Sequence, residues 1–251
     1  MNPGFNDHFS SVAGDYRVFR PVYPPALFVF LAEAAPARDL VWDCGTGSGQ
    51  AAVALAGYFT KVFATDASAD QIANAEPNPR VEYAVAPAEK CPLPDASVDA
   101  VTVAQAIHWF DFDRFYAEVR RVAKPNGLIA AWTYDLDTIH PEVDPVLERL
   151  QNEYIRPYWP PERAFADAGY RTIPFPFPEL SRPHFKMTAQ WDMRHLLGYV
   201  NTWSAVRKYE QKHGVNPLGL LAEELGKAWG DPATGRTVRW KFSMRLGRVT
   251  P

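Results

Sequence analysis

Residues 41–56, VWDCGTGSGQAAVALA, read as the end of a strand, a glycine turn and the start of a helix. Val41 and Trp42 close a short β-rich run, Gly45, Gly47 and Gly49 crowd the turn, and QAAVALA has helical composition. Glycines let a backbone turn sharply and approach a ligand closely, at a helix N-terminus whose first amides point outward. Such a turn alone says little, because tight turns need glycine anyway. Asp66 adds to it: it ends the next strand, KVFATD, 17 residues after Gly49. An acidic side chain in that place can accept both hydroxyls of a ribose.

The same rhythm extends in both directions. PALFVFLAEAAP reads as a short helix with Pro25 at its start. After the glycine turn come KVFATD, SADQIANAE, VEYAVA, DAVTVA, FDRFYAEVRRVA and LIAAWTY. Short β-rich runs alternating with helical ones predict an α/β fold, a doubly wound, Rossmann-like, mostly parallel sheet with helices on both faces. Ser68 and Gln71 have capping-box spacing. Asp111 is a candidate N-cap for a helix whose Phe112, Phe115, Tyr116, Val119 and Val122 share one apolar face. In KPNG, Asn126 and Gly127 can accept positive φ.

From about residue 140 the rhythm is lost. Leu196, Val200, Trp203 and Val206 form a helical stripe, and NPLGLLAEELGKAWG is a second helix bounded by Asn216-Pro217 and Gly230. The end, TVRWKFSMRL, alternates Val238, Trp240, Phe242, Met244 and Leu246 as a half-buried antiparallel strand would. The chain therefore reads as a single domain, 1–251. It carries an N-terminal lid segment over residues 1–36, a helical insertion over about 189–230 that covers the site, and a return to the sheet edge through an antiparallel C-terminal strand.

Composition narrows the function. Hydrophobic residues are 47% and charged residues 22% of the 251, ordinary for a globular enzyme. A net charge of −3 gives no electrostatic reason to expect nucleic acid or an anionic membrane as partner. The C-terminal basic residues alternate with apolar ones, the pattern of a strand with one wet face. Cys44 and Cys91 lack CxxC or His/Cys neighbours, so neither a metal site nor a structural disulfide is expected. MNPGFNDHFSSVAGDY has neither a basic nor an apolar signal region, and no apolar run approaches a membrane span. The expected setting is the cytoplasm and the expected partner a small molecule; nothing in the sequence speaks to oligomeric state.

Two ligand classes fit a glycine turn followed by Asp66. Dinucleotide sites favour G-x-G-x-x-G, whereas Asp43, Gly45, Gly47 and Gly49 make D-x-G-x-G-x-G, with Gln50 after the last glycine. This pattern resembles motif I of class I S-adenosylmethionine-dependent methyltransferases. VAPAEKCPLPDASVDAVTVAQAIHWFD and FYAEVRRVAKPNGLIAAWTY look like the later motifs of the group that contains the trans-aconitate methyltransferases (type 11-like). FSSVAGDYRVFRPVYPPAL matches that group's F-x-x-x-A-x-x-Y-x-x-x-R-P-x-Y-P segment. The resemblance covers about residues 9 to 134; Asn126 departs from the usual KPGG in a turn away from the cofactor. The alternatives are a nucleotide-dependent oxidoreductase and a non-catalytic cofactor-binding protein of the same fold.

The resemblance implies S-adenosyl-L-methionine as cofactor and carries roles over by position. Asp43, Gly45, Thr46, Gly47, Gly49 and Gln50 would shape the methionine pocket, and Asp66, with Ala67 and Ser68 beside it, would bind the ribose. Ala88 and Glu89 would flank the adenine, with Gln105, Ala106 and Tyr16 also along the cofactor. The protein must then align an acceptor and exclude water. The segments that could do so are rich in Tyr, Trp and Arg, as a pocket for an apolar body with an anionic group would be. Arg20 could hold a carboxylate through a bidentate contact or fix the lid by a salt bridge. Tyr23, Trp109, Tyr134 and Trp203 are candidates for the same pocket, although Trp159, Trp191 and Trp203 read more readily as packing. His108, in AQAIHWFD, suits a base only if the acceptor is a hydroxyl or amine, since a carboxylate is already ionised. It is expected to position the acceptor rather than abstract a proton.

Overall fold

The computed structural model describes residues 18–250. Pro24 and Pro25 begin helix α1, Pro25–Ala34, where a missing amide costs no hydrogen bond. Strand β1 (Leu40–Cys44) then leads through the glycine turn into α2 (Gln50–Leu55). The next units are β2 (Lys61–Asp66), α3 (Ala69–Ala73), β3 (Val81–Val85), β4 (Val98–Ala104), α4 (Phe112–Val122) and β5 (Ala123–Thr138). Ser68 caps α3 by accepting from the Gln71 amide, and Asp111 caps α4 by accepting from the Arg114 amide.

The seven strands lie in the order β3-β2-β1-β4-β5-β7-β6, where β6 is Met187–Trp191 and β7 is Arg236–Arg248. β1 to β5 pair in parallel, and β7 runs antiparallel to both β5 and β6. Alternation along each strand feeds two cores. Val41, Ala130 and Trp132 face one side with Leu27, Leu31 and Leu55; Trp42, Ile129 and Ala131 face the other with Phe115, Val119 and Val122. Both faces being covered explains why the central strands are apolar at nearly every position. At the strands' N-terminal end, buried Asp99 accepts from the Asp39 and Leu40 amides and from Lys124 Nζ (2.7 Å). It ties the starts of β1, β4 and β5 together there, away from the opposite edge.

Two expectations need correction. The C-terminal strand is not at the sheet edge, because β6 pairs along its outer side. The helical insertion begins at Met193 rather than near 189, since Ala189–Trp191 complete that edge strand. MTAQW buries only Met187 and Trp191, too little alternation to announce a strand. The helices α7 (Met193–Asn201), α8 (Ser204–His213), α9 (Pro217–Leu220) and α10 (Ala222–Trp229) follow. Helical turns also occupy the region after β5: α5 (Asp144–Arg149), a π turn at Leu150–Ile155 and α6 (Arg163–Asp167). The expected stripe of Leu196, Val200, Trp203 and Val206 is buried, but Trp203 caps α8 and breaks the run into two helices.

Candidate functional site

A cavity of about 1310 Å³ opens at the C-terminal ends of β1, β2, β4 and β5. Its first wall is the glycine turn. Gly45 takes φ 67°, and a β-carbon there would come within 2.6 Å of Ala106 Cβ, so only glycine fits between the two loops. Gly49 takes φ 85°, and its missing β-carbon makes room for the Tyr83 hydroxyl, which donates to the Glu76 carbonyl (2.7 Å). Asp43 sits beneath this turn, fully buried, accepting from Thr46 Oγ1 (2.6 Å) and Thr102 Oγ1 (2.8 Å). Burial raises its pKa to about 6, against those two hydrogen bonds. Asp43 and Gly49 therefore brace the turn from behind; the cavity wall itself is Gly45, Thr46, Gly47 and Gln50.

Asp66 stands at the C-terminal end of β2, half-buried, with one oxygen accepting from the Gly47 amide and the other from the Ser68 amide, both at 2.9 Å. The two amides aim the carboxylate at the cavity while leaving each oxygen a further lone pair. Ala67, Ser68, Ala88 and Glu89 continue the wall. Glu89 also accepts from the Asp111 amide (3.0 Å), so it anchors the loop after β4. Gln105 and Ala106 line that loop. Gln105 has φ 59°, unusual for a residue with a side chain, and its amide group bridges the Tyr134 carbonyl (2.9 Å) and the Thr133 hydroxyl (2.7 Å).

The same cavity brings together the residues expected to meet the acceptor. Arg20 Nη1 donates to the Tyr134 hydroxyl (3.4 Å), with the guanidinium 5.4 Å from the centre of the Tyr199 ring. Tyr23 stands edge-on to Trp132 and Tyr134, and Trp203 tilts against Trp159. Trp109 and Tyr134 line the cavity as well. His108, 9% exposed, lines the cavity too; its Nδ1 lies 2.9 Å from the Tyr170 hydroxyl. Burial, aided by Arg163, lowers its pKa to about 3, so the imidazole is neutral. Tyr16 lies outside the described residues. Trp191 packs against His195, Tyr199 and Trp240, as the packing reading expects.

Among the lining residues that the sequence reading did not single out are Asp135, Arg163 and Tyr199; Trp159, read there as packing, lines the cavity as well. Arg163 pairs with Asp135 (2.8 Å) and lies over the Trp159 ring at 4.2 Å. Asp135 is discoverable in hindsight, since it directly follows Tyr134 in β5. Nothing in PPERAFADAGY marks Arg163.

With that geometry in view, residues 42–131 match the methyltransferase-domain family. A Dictyostelium discoideum protein classed as a methyltransferase is 37% identical over 229 residues, covering 90% of this chain and 87% of its own length. A Saccharomyces cerevisiae protein classed as an S-adenosylmethionine-dependent methyltransferase is 32% identical over 164 residues, covering 61% of this chain and 54% of its own. The solved structure of an Anaeromyxobacter dehalogenans protein, described as a type II methyltransferase, is 51% identical with a TM-score of 0.87, covering 93% of this chain and 99% of the other. The chain belongs to the class I S-adenosylmethionine-dependent methyltransferases. That assignment sets aside the oxidoreductase and non-catalytic alternatives. Among the described residues, no helix is long and apolar enough to cross a membrane.

Proposed function

We propose that this methyltransferase O-methylates a small carboxylic acid, held at the part of the cavity that Arg20 lines. The observation that carries the reading is Arg20, whose guanidinium meets the Tyr134 hydroxyl and the Tyr199 ring at the cavity wall. A guanidinium in that position suits a carboxylate by bidentate contact. The resemblance of residues 9–134 to the group with the trans-aconitate methyltransferases supports the same acceptor class. Residues 18–24 and the helices over 193–229 would close over it.

The wall residues fit the cofactor. Asp66 is aimed by two amides where a ribose would present its hydroxyls, and Gly45 and Gly47 leave a shallow wall for the methionine portion. Ala88 and Glu89 would border the adenine, with Gln105 and Ala106 along the centre. Held there, S-adenosylmethionine would supply an electrophilic methyl group to the acceptor oxygen, with a neutral thioether as leaving group. The remaining task is placement. An ionised carboxylate needs no base, so Arg20 orients it, the Tyr and Trp rings exclude water, and neutral His108 fixes the rest of the molecule.

The test is release of S-adenosylhomocysteine from a panel of small carboxylic acids, alcohols and amines, with the product identified by mass spectrometry. A base-labile methyl ester, and a raised acceptor KM in Arg20→Leu with cofactor affinity retained, are expected. Turnover confined to alcohols or amines would overturn the acceptor class.

A further inference from the structure

We infer that Arg163 is a second acceptor-recognition residue, one that selects an uncharged oxygen. Its guanidinium is held by two carboxylates and keeps an N–H donor for the cavity. The acid that fits therefore carries a carbonyl, hydroxyl or amide oxygen besides its reacting carboxylate, and not a second carboxylate. This deepens the proposed acceptor class and rests on it.

The donor is found by counting the bonds of Arg163, whose guanidinium can donate from each of its nitrogens. Nε donates to Asp167 Oδ1 (2.5 Å) and Nη2 to Asp135 Oδ1 (2.8 Å), while the group lies 4.2 Å from the centre of the Trp159 ring. Nη1 has no hydrogen-bond partner among the described residues, and it is not one of their fully covered unpaired atoms. It is thus a donor that solvent reaches, on a side chain 22% exposed that lines the cavity. The group is also held in advance. Trp159 packs in turn on Trp203, 6.0 Å between ring centres, so Arg163 is fixed by two ion pairs and a stacked ring. A side chain already ordered costs a ligand less to engage.

Charge decides what that donor takes. Here one guanidinium meets two carboxylates, and Asp135 lines the cavity beside it, as does Glu162. A second carboxylate brought to Nη1 would add like charge next to Asp135, where the arginine's own charge is already matched. An uncharged oxygen accepts the same N–H without that repulsion. Arg20 donates instead to a hydroxyl, that of Tyr134. The two arginines then take different parts of one molecule, the carboxylate at Arg20 and the uncharged oxygen at Arg163. Asp135 and Arg163 both follow residue 134, so the resemblance of residues 9–134 has no bearing on this wall.

The test compares acids that differ in this one group, in wild type, Arg163→Leu and Asp135→Asn. The acids are straight-chain monocarboxylates, the same chains bearing a keto, hydroxyl or amide oxygen, and the same chains ending in a second carboxylate. In wild type the oxygenated acid should exceed both the bare chain and the diacid in kcat/KM by roughly tenfold or more, as a hydrogen bond from a charged donor implies. Arg163→Leu should close the gap between oxygenated and bare acids, whatever it does to the bare chain. Asp135→Asn should raise the diacid relative to the oxygenated acid by about tenfold. Equal kcat/KM for bare and oxygenated acids in wild type overturns the inference. So does an equal loss on every acid in Arg163→Leu, which would make the residue wall packing, or a wild-type preference for diacids. A panel in which no carboxylic acid turns over counts against the acceptor class instead. Arg163 is then tested on the alcohol or amine that does turn over, where an unchanged KM in Arg163→Leu overturns its donor role and a raised KM supports it.

Discussion

Gly198 lies inside α7, and the three atoms nearest to a β-carbon built on it all belong to the Phe19 ring. Gly198→Ala is expected to separate stability from function. In a helix interior, alanine is favoured over glycine by about 1 kcal/mol. The added carbon overlaps a ring rather than backbone, so the ring moves, giving up its edge-on contact with His195 at 5.4 Å. Such a contact is worth about 0.5–1.5 kcal/mol. The terms are of similar size and opposite sign, and Tm should stay within roughly 2–4 °C of wild type. Function has no such compensation, because Arg20 is the next residue and draws its place from the same segment. Acceptor KM should rise on the order of tenfold, equivalent to about 1.4 kcal/mol of lost placement. The bond from Gln50 Nε2 to the Pro21 carbonyl (2.9 Å) keeps the segment near the glycine turn, so cofactor affinity should hold. Phe19→Leu added to Gly198→Ala should recover part of the loss. Thermal melts, calorimetry with the cofactor and steady-state kinetics test this together. A large fall in Tm with unchanged acceptor KM would show that Phe19 on Gly198 is packing alone, and would refute the reasoning.

Three further outcomes are expected. His108→Gln should lower turnover modestly and leave the pH–rate profile flat above pH 6, because a group with pKa near 3 is already neutral there; near-total loss with a new pH dependence would show a base. Asp66→Asn should weaken cofactor binding by about tenfold or more in calorimetry, since a charge-assisted hydrogen bond is worth about 1.5–3 kcal/mol; unchanged affinity would remove Asp66 from the ribose. Asp43→Asn should change the pH dependence of stability. The folded Asp43 pKa of about 6 lies above its unfolded value, so between about pH 4 and 6 the folded state holds a proton that the unfolded state lacks. Stability contributed by Asp43 is therefore present below pH 4 and lost as pH rises to 6, by about 2–3 kcal/mol. Urea melts across that range should show the decline in wild type and less of it in the variant; parallel curves would contradict the assignment.

Local pattern reached far into this fold. The glycine turn, Asp66 at the end of β2, the Ser68 and Asp111 caps and the alternation of β7 each follow from neighbours within a few residues. The same kind of rule failed where pairing was distant. β6 is short and two-sided, and only β7, some 45 residues later, makes it a strand. Arg163 acquires meaning only by meeting Asp135 and Trp159 across the cavity.

The less legible part of the site also breaks local rules. Positive φ is expected at glycine or asparagine, as at Gly45 and Asn126, and a glutamine or tyrosine there goes unpredicted. Gln105 and Tyr170 adopt it where their side chains hold neighbours in place: Gln105 bonds the Tyr134 carbonyl and the Thr133 hydroxyl, and Tyr170 bonds the His108 ring. Glycine would relieve the backbone at either position and remove the side chain that orients the next group. The local preference is thus opposed by the need for those side chains, and this opposition separates Gln105 and Tyr170 from Ala96 and Asn126, which lie in exposed turns.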